Sequence, residues 1–191
     1  MIFFCISIPR IQNFMKKTRL IDTEGVSKLL KRLSHEIIES NTNLSNVAIV
    51  GIRTRGDVIA KRIAKIIENI SGDKVKLGTL DVTFYRDDFS SNWGSPKVGP
   101  SDITFDVNKI NIILIDDVLY TGRTIRAAID EIFSFGRPDT IQLGVLVDRG
   151  HRELPIKANF VGKNIPTSDN EHVHVYVQEI DSKEEVSLES Y

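Results

Sequence analysis

A chain of 191 residues, 41% apolar and 27% charged, is long enough to bury a core as one domain, and its composition fits neither a disordered polymer nor a membrane-embedded protein. Its 25 basic and 26 acidic side chains leave a net charge of −1, which argues against a surface that is polycationic throughout. The balance is uneven, however. Residues 179–191 hold five acids (Glu179, Asp181, Glu184, Glu185, Glu189) against Lys183, a local −4 that leaves +3 for the remainder and room for local anion sites. The single Cys5 has no disulfide partner within the chain and no zinc-type spacing is present, so a reducing, cytoplasmic compartment is expected.

The apolar stretch Ile2–Ile8 lacks both a basic lead and a small-residue cleavage site, and it is too short to span a bilayer. Met15 precedes the first recognisable element, so residues 1–14 are expected to be a non-native or poorly packed extension, and residues 15–191 one domain. Asp22-Thr23 can cap a helix carrying Val26, Leu29, Leu30, Leu33 and Ile37 on one face and Lys28, Lys31, Arg32 and His35 on the other. Val47–Ile52 is a continuous apolar run of the kind buried on both faces of a parallel sheet. It passes through Arg53-Thr54-Arg55-Gly56 into a second amphipathic helix with Ile59, Ile63, Ile66, Ile67 and Ile70. A third strand is expected between Val75 and Tyr85. Residues 86–106 then form a long polar loop, of a length usually reserved for functional lids.

Ile112–Ile115 reads as a buried strand ending in Asp116-Asp117. Val118–Thr124 follows, then a helix with Ile125, Ala128, Ile129 and Ile132, ended by Gly136 and Pro138. Ile141–Val147 and an alternating stretch around Val173, Val175 and Val177 complete the strands, with His172 and His174 on a half-exposed face. Strands alternating with helices predict an α/β fold with a mainly parallel sheet.

In such a sheet ligands gather at the carboxyl ends of the strands. Both Arg53–Gly56 and Asp116–Thr124 fall there. Backbone amides around Thr121-Gly122-Arg123-Thr124 can cradle a phosphate at a helix N-terminus, with the two threonine hydroxyls as further donors. The neighbouring carboxylates would repel phosphate but suit sugar hydroxyls or a divalent cation. Taken alone, an Asp-Asp pair ending a strand is as often a helix cap and solvated turn. Together with the arginine loop, which suits pyrophosphate, it points to an activated sugar phosphate such as a ribose 5-phosphate derivative. A Walker loop would need glycine at Asp117 and lysine at Arg123, and no G-x-G-x-x-G follows a strand. His35-Glu36-Ile37-Ile38-Glu39 ends in Glu where a zinc helix needs His.

The stretch Ile112–Thr124 resembles the phosphoribosyl-diphosphate (PRPP) motif of type I phosphoribosyltransferases. Val147–Ile156 and Gly162–Thr167 are similar to the PyrR family in particular, whose members are pyrimidine-operon regulators and uracil phosphoribosyltransferases. The resemblance spans Thr18 to Val186. It implies the type I phosphoribosyltransferase fold, a mainly parallel sheet flanked by helices with a small hood at 148–170 and a flexible lid at 86–106. Asp116 and Asp117 would hold the ribose hydroxyls and, directly or through PRPP, Mg²⁺. Thr121, Gly122, Arg123 and Thr124 would hold the 5-phosphate; Arg53, Thr54, Arg55 and Gly56 would hold pyrophosphate. Arg86 in the lid would close over the reacting centre, and Tyr120, Val147, Asp148, Lys163, Asn164 and Ile165 would read uracil.

Purine enzymes of this superfamily usually carry aspartate where Tyr120 stands, which favours a pyrimidine. Lys31, Arg32, His35, His151, Arg152, Lys157 and Lys163 would offer a basic surface to RNA, expected to be a pyr operon leader mRNA. The expected ligands are PRPP, uracil and UMP, and the expected assembly is a homodimer or higher homo-oligomer. Two rivals stay open: a non-catalytic RNA-binding attenuator that senses nucleotides, and a purine phosphoribosyltransferase. Asp57, after the pyrophosphate loop, and Lys31 depart from the family pattern.

Overall fold

The computed structural model describes residues 16–82 and 100–190. Five parallel strands form the central sheet: β2 (Val47–Ile52), β3 (Lys76–Leu80), β4 (Asn111–Leu119), β5 (Thr140–Asp148) and β6 (Phe160–Asn164), in the order β3-β2-β4-β5-β6. Every residue of β2, and Ile112–Asp117 of β4, is buried. This is the burial that continuous apolar runs predict for strands covered on both faces.

Successive side chains of each strand point to opposite faces. Val47, Ile49, Ile113 and Ile115 pack under α1 (Thr23–Ser40) and α2 (Gly56–Ser71) with Leu30, Leu33, Ile37, Ile59, Ile63 and Ile67. Ala48, Val50, Ile112 and Leu114 face α3 (Arg123–Phe135), through Ile125, Ala128 and Ile132. The expected cap of α1 is present, with Asp22 Oδ1 accepting from Gly25 N at 2.9 Å. α2 ends on Gly72, whose φ of +79° gives the left-handed turn that glycine adopts without strain.

A second sheet joins the two ends of the described chain. β1 (Lys16–Ile21) pairs with β8 (Glu185–Ser190), and β8 with β7 (Glu171–Tyr176), all antiparallel. Val173, Val175, Val177 and Val186 are buried against the α1 and α2 side of the core. A four-residue helix, α4 (Gln178–Asp181), connects β7 to β8.

Two expectations change. Residues 160–164, within the span where the resemblance implies a hood, are the edge strand of the main sheet, parallel to β5 with Gly144 opposite Phe160. The end of the expected lid also lies on the main sheet: Thr79 N donates to Asp102 O at 2.9 Å, Asp102 N donates back at 2.8 Å, and Ile103 and Phe105 pack on the core. The segments 1–14 and 86–99, with Arg86, lie outside the described residues.

Candidate active site

The strand order brings the predicted site together. β2 and β4 are neighbours with Gly51 opposite Ile115, and β4 and β5 are neighbours with Leu119 opposite Asp148. The residues that follow β2, the end of β4, and the ends of β5 and β6 therefore meet along one edge of the sheet, its carboxyl end.

The loop after β2 is pressed against β4. A Cβ added to Gly56 would lie 2.6 Å from Ile115 O and 3.0 Å from Asp116 Cα. Only glycine lets the Arg53–Gly56 loop approach the carboxylate-bearing turn this closely. The Arg53–Thr54 peptide bond is cis, and Arg53 N donates to Leu80 O at 2.9 Å. Arg53 Nη1 lies 3.9 Å from Asp81 Oδ2, an acid whose side chain is buried. Arg55 makes a two-pronged contact with Asp181 of α4, Nε to Oδ2 at 3.0 Å and Nη2 to Oδ1 at 2.8 Å.

Asp116 and Asp117 are 3% and 7% exposed. Asp116 Oδ1 accepts from Asp117 N at 2.9 Å and Asp117 Oδ1 from Val118 N at 3.0 Å, so the main chain fixes both carboxylates. Downstream, Thr121 and Gly122 are buried, Thr124 is half-buried and Arg123 is exposed. Gly122 has φ +95°, a left-handed conformation that places it as the N-cap of α3. Thr121 Oγ1 accepts from Arg123 N at 3.2 Å. This arrangement, a glycine turn opening a 13-residue helix, is suited to a phosphate monoester.

The segment after β5 forms the wall of the site. Glu153 N and Leu154 N both donate to Thr121 O, at 3.0 and 3.1 Å. The exposed side chains of Arg123 and Glu153 pair above the loop. Val147 stands opposite Lys163 and Asp148 opposite Asn164, while Ile165 N donates to Asp148 O at 2.8 Å. The residues expected to read a base are thus contiguous. Arg149, only 4% exposed, lies with its guanidinium 4.1 Å from the Tyr120 ring centroid and donates from Nη2 to Glu171 O at 2.6 Å and from Nε to Thr167 Oγ1 at 3.1 Å. Burial pushes the Arg149 guanidinium below its ordinary pKa, against the opposing pull of Tyr120, Asp169 and Glu171.

The basic residues expected to face RNA divide into two groups. Lys31, His35, Lys157 and Lys163 are exposed. Arg32 pairs with Glu36 and donates to the carbonyls of Val161 and Gly162 on β6. Arg152 donates to Tyr120 O at 2.7 Å, Gly150 O at 3.0 Å and Ile156 O at 3.0 Å, and pairs with Asp148. His151 approaches Thr167 O through Nε2 at 2.6 Å and Asp169 Oδ1 through Nδ1 at 3.2 Å. Arg32 and Arg152 hold this chain together, whatever else they contact.

Sequence reasoning missed Asp81, Arg149 as the support of Tyr120, and Asp181. Arg149 sits inside a motif that was noticed, but nothing in a linear sequence marks the other two.

No helix among the described residues is long and apolar enough to cross a membrane. The phosphoribosyl transferase domain family matches residues 18–180. Solved structures with the same fold include the hypoxanthine phosphoribosyltransferases of Trypanosoma cruzi (TM-score 0.68, 15% identity, covering 90% of this chain and 95% of that one) and Staphylococcus aureus (0.66, 19%, 88% and 90%). At these identities they speak for the fold alone. Curated relatives are nearer: the bifunctional protein PyrR of Alkaliphilus metalliredigens is 51% identical over 91% of this chain and 96% of its own length. That of Clostridioides difficile is 50% identical over 91% and 98%. A likeness of this depth, over nine-tenths of the chain, places it in the PyrR family of phosphoribosyltransferases.

Proposed function

We propose that this PyrR-family chain converts uracil and PRPP to UMP and diphosphate, as a cytoplasmic homo-oligomer, and that its exposed basic residues bind a pyrimidine-operon leader RNA. The observation that carries the catalytic part is the seat of Gly56 against Ile115 and Asp116. It brings the arginine loop into contact with the first of two neighbouring carboxylates, and the glycine turn at Thr121–Thr124 follows them in the chain, an order that suits pyrophosphate, ribose hydroxyls and 5-phosphate as they occur in PRPP.

Thr121, Gly122, Arg123 and Thr124 anchor the 5-phosphate, and Asp116 and Asp117 accept from the ribose hydroxyls. Arg53 and Arg55, with the main chain of Thr54 and Gly56, meet the diphosphate. The C1–oxygen bond to diphosphate breaks with its electron pair leaving on diphosphate, while the C1–N1 bond to uracil forms and the N1 proton is released. This chain supplies mainly position and charge: reactants held in line, and cations where negative charge develops.

The hard oxygen donors of two neighbouring, main-chain-fixed carboxylates suit Mg²⁺, and a two-carboxylate site fits an ion that keeps waters and arrives on substrate phosphates. When bound, Mg²⁺ neutralises charge on the departing diphosphate. Uracil would lie between the Tyr120 and Val147–Asp148 strand ends and the Lys163–Ile165 segment, read largely by backbone groups.

RNA binding is assigned to Lys31, His35, Lys157 and Lys163, with His151 at the edge, where phosphate contacts supply affinity and unpaired bases supply specificity. The catalytic reading is tested by following UMP formation from labelled uracil, PRPP and Mg²⁺ in wild type and Asp117→Asn. The variant is expected to lose at least ~100-fold in turnover with little change in melting midpoint. Wild-type turnover in Asp117→Asn would overturn the ribose-site assignment.

A further inference from the structure

The segment after β5 carries an acid to the edge of the phosphate turn. Glu153 N and Leu154 N both donate to Thr121 O, at 3.0 and 3.1 Å. A Cβ added to Gly122 would lie 3.4 Å from Leu154 Cβ and 3.3 Å from Ile156 Cδ1, so residues 154 and 156 pack directly on the glycine that opens α3. The Glu153 side chain joins the same loop: its Oε2 accepts from Arg123 Nε at 2.6 Å and lies 2.5 Å from Nη2. Main chain, packing and side chain together hold this carboxylate beside the residues read as the seat of the 5-phosphate.

That placement opposes the chemistry of the seat. A phosphate monoester carries about −1.5 to −2 charges at neutral pH, and it is favoured by the N-terminal end of α3 and by the guanidinium of Arg123. Glu153 brings a full negative charge to the same place and takes up one edge of that guanidinium. A phosphate that meets Arg123 must either displace the carboxylate or lie next to it, and in both cases the acid works against binding. The pair itself is weak, because its side chains are 61% and 50% exposed and ion pairs this open are screened by salt and exchanged at little cost. Its loss as a support for Arg123 therefore matters less than the loss of repulsion against a near-dianion.

We propose that Glu153 sets the affinity of the phosphate turn: it competes with a phosphate monoester for Arg123 and so lowers the affinity of PRPP and UMP together. This deepens the reading of Thr121–Thr124 as the 5-phosphate seat and rests on it. Uracil, which carries no phosphate, is unaffected. Since changes in affinity at one site fall mainly on the dissociation rate, the acid also hastens release of the nucleotide product.

The test measures UMP affinity by calorimetry for wild type, Glu153→Gln and Asp130→Asn, together with steady-state KM values for PRPP and uracil. Glu153→Gln keeps the shape and an oxygen acceptor for Arg123 but removes the charge. It is expected to bind UMP about fivefold more tightly, the upper range for an exposed ionic contact, and to lower KM for PRPP with KM for uracil unchanged. The gain should shrink in about 1 M salt, where the screening length is roughly 3 Å. Asp130→Asn removes an equal charge from an exposed pair with Arg126 farther along α3, and should bind UMP as the wild type does.

UMP affinity that is unchanged or weaker in Glu153→Gln overturns the proposal, the weaker case making Glu153 a support of Arg123. So does an equal gain in Asp130→Asn, which would reduce the effect to net charge. Wild-type protein that binds UMP without converting uracil and PRPP overturns the catalytic reading and leaves the comparison of UMP affinities to decide the proposal. Wild-type protein that binds neither UMP nor PRPP overturns both.

Discussion

The guanidinium of Arg149 lies 4.1 Å from the centroid of the Tyr120 ring, so the residue just before the phosphate turn is backed by a buried cation. Arg149→Met keeps much of the volume but leaves Glu171 O and Thr167 Oγ1 without their donors. Lost hydrogen bonds and the cation–π contact outweigh the relief of desolvation, for a net loss of about 2 kcal/mol. The melting midpoint should then fall by roughly 4–8 °C, and KM for uracil should rise while KM for PRPP holds. An unaltered uracil KM would mean that the Tyr120 ring does not bound the base.

Gly56→Ala probes the seat of the Arg53–Gly56 loop against the end of β4. The new Cβ would meet Ile115 O at 2.6 Å, a main-chain atom inside the central sheet that cannot rotate away. The loop must retreat from Asp116, at a cost of about 1–3 kcal/mol. KM for PRPP should rise with stability reduced, as followed by kinetics and thermal melting. A variant with wild-type PRPP kinetics would show that the loop and the end of β4 act separately.

Acid should loosen the contact between α4 and α2 first. Burial by itself would raise the Asp181 carboxyl, but the hydrogen bonds from Arg55 and Val177 N outweigh it and hold the group below its ordinary value of 3.8. Hydrogen bonds from Arg62 hold Glu179 below its ordinary 4.5, against a smaller effect of burial. Both groups bind protons less readily in the folded chain than in the unfolded one. Their stabilisation is therefore present above those ordinary values and is lost as pH falls through the depressed folded ones. Melting midpoints measured from neutral pH downward should decline below about pH 4.5, and less steeply for Asp181→Asn. Parallel curves for the two proteins would contradict this.

The basic residues separate by role. Lys31→Glu and Lys157→Glu, both at exposed positions, should weaken leader-RNA binding and lower its salt slope by about one each, with phosphoribosyl transfer intact. Arg152→Ala removes the donor to Tyr120 O, Gly150 O and Ile156 O, and should lower both the melting midpoint and turnover. A stable, fully active Arg152→Ala that fails only in RNA binding, as read by filter or gel-shift titration, would reverse that division.

The parts of the fold that were legible are those whose sequence carries a strong local period. β2, α2, β4 and α3 are apolar runs or amphipathic helices, and each lies where its pattern puts it. β1 was missed because Lys16–Ile21 is polar and almost wholly exposed; it is held by main-chain pairing with β8, from the opposite end of the chain. β6 is hard to read because five residues with a glycine at the centre do not reveal which sheet they join. The same distinction holds at the site. Asp116–Thr124 is contiguous and legible, whereas the pair of Arg55 with Asp181 joins residues 126 apart in sequence and follows only from the folding of α4 onto α2. The charge imbalance of the C-terminal segment was visible, but its target on α2 was not.

The most direct measurement supplies the purified protein with Mg²⁺ and PRPP and compares uracil, hypoxanthine and orotate as acceptors, following nucleotide formation. UMP formed from uracil, with no nucleotide from the other two bases, is the predicted result. Conversion of hypoxanthine in preference to uracil would contradict the reading of Tyr120 and the base wall. No turnover with any base, together with tight UMP-dependent RNA binding, would contradict the catalytic account and leave a nucleotide-sensing regulator.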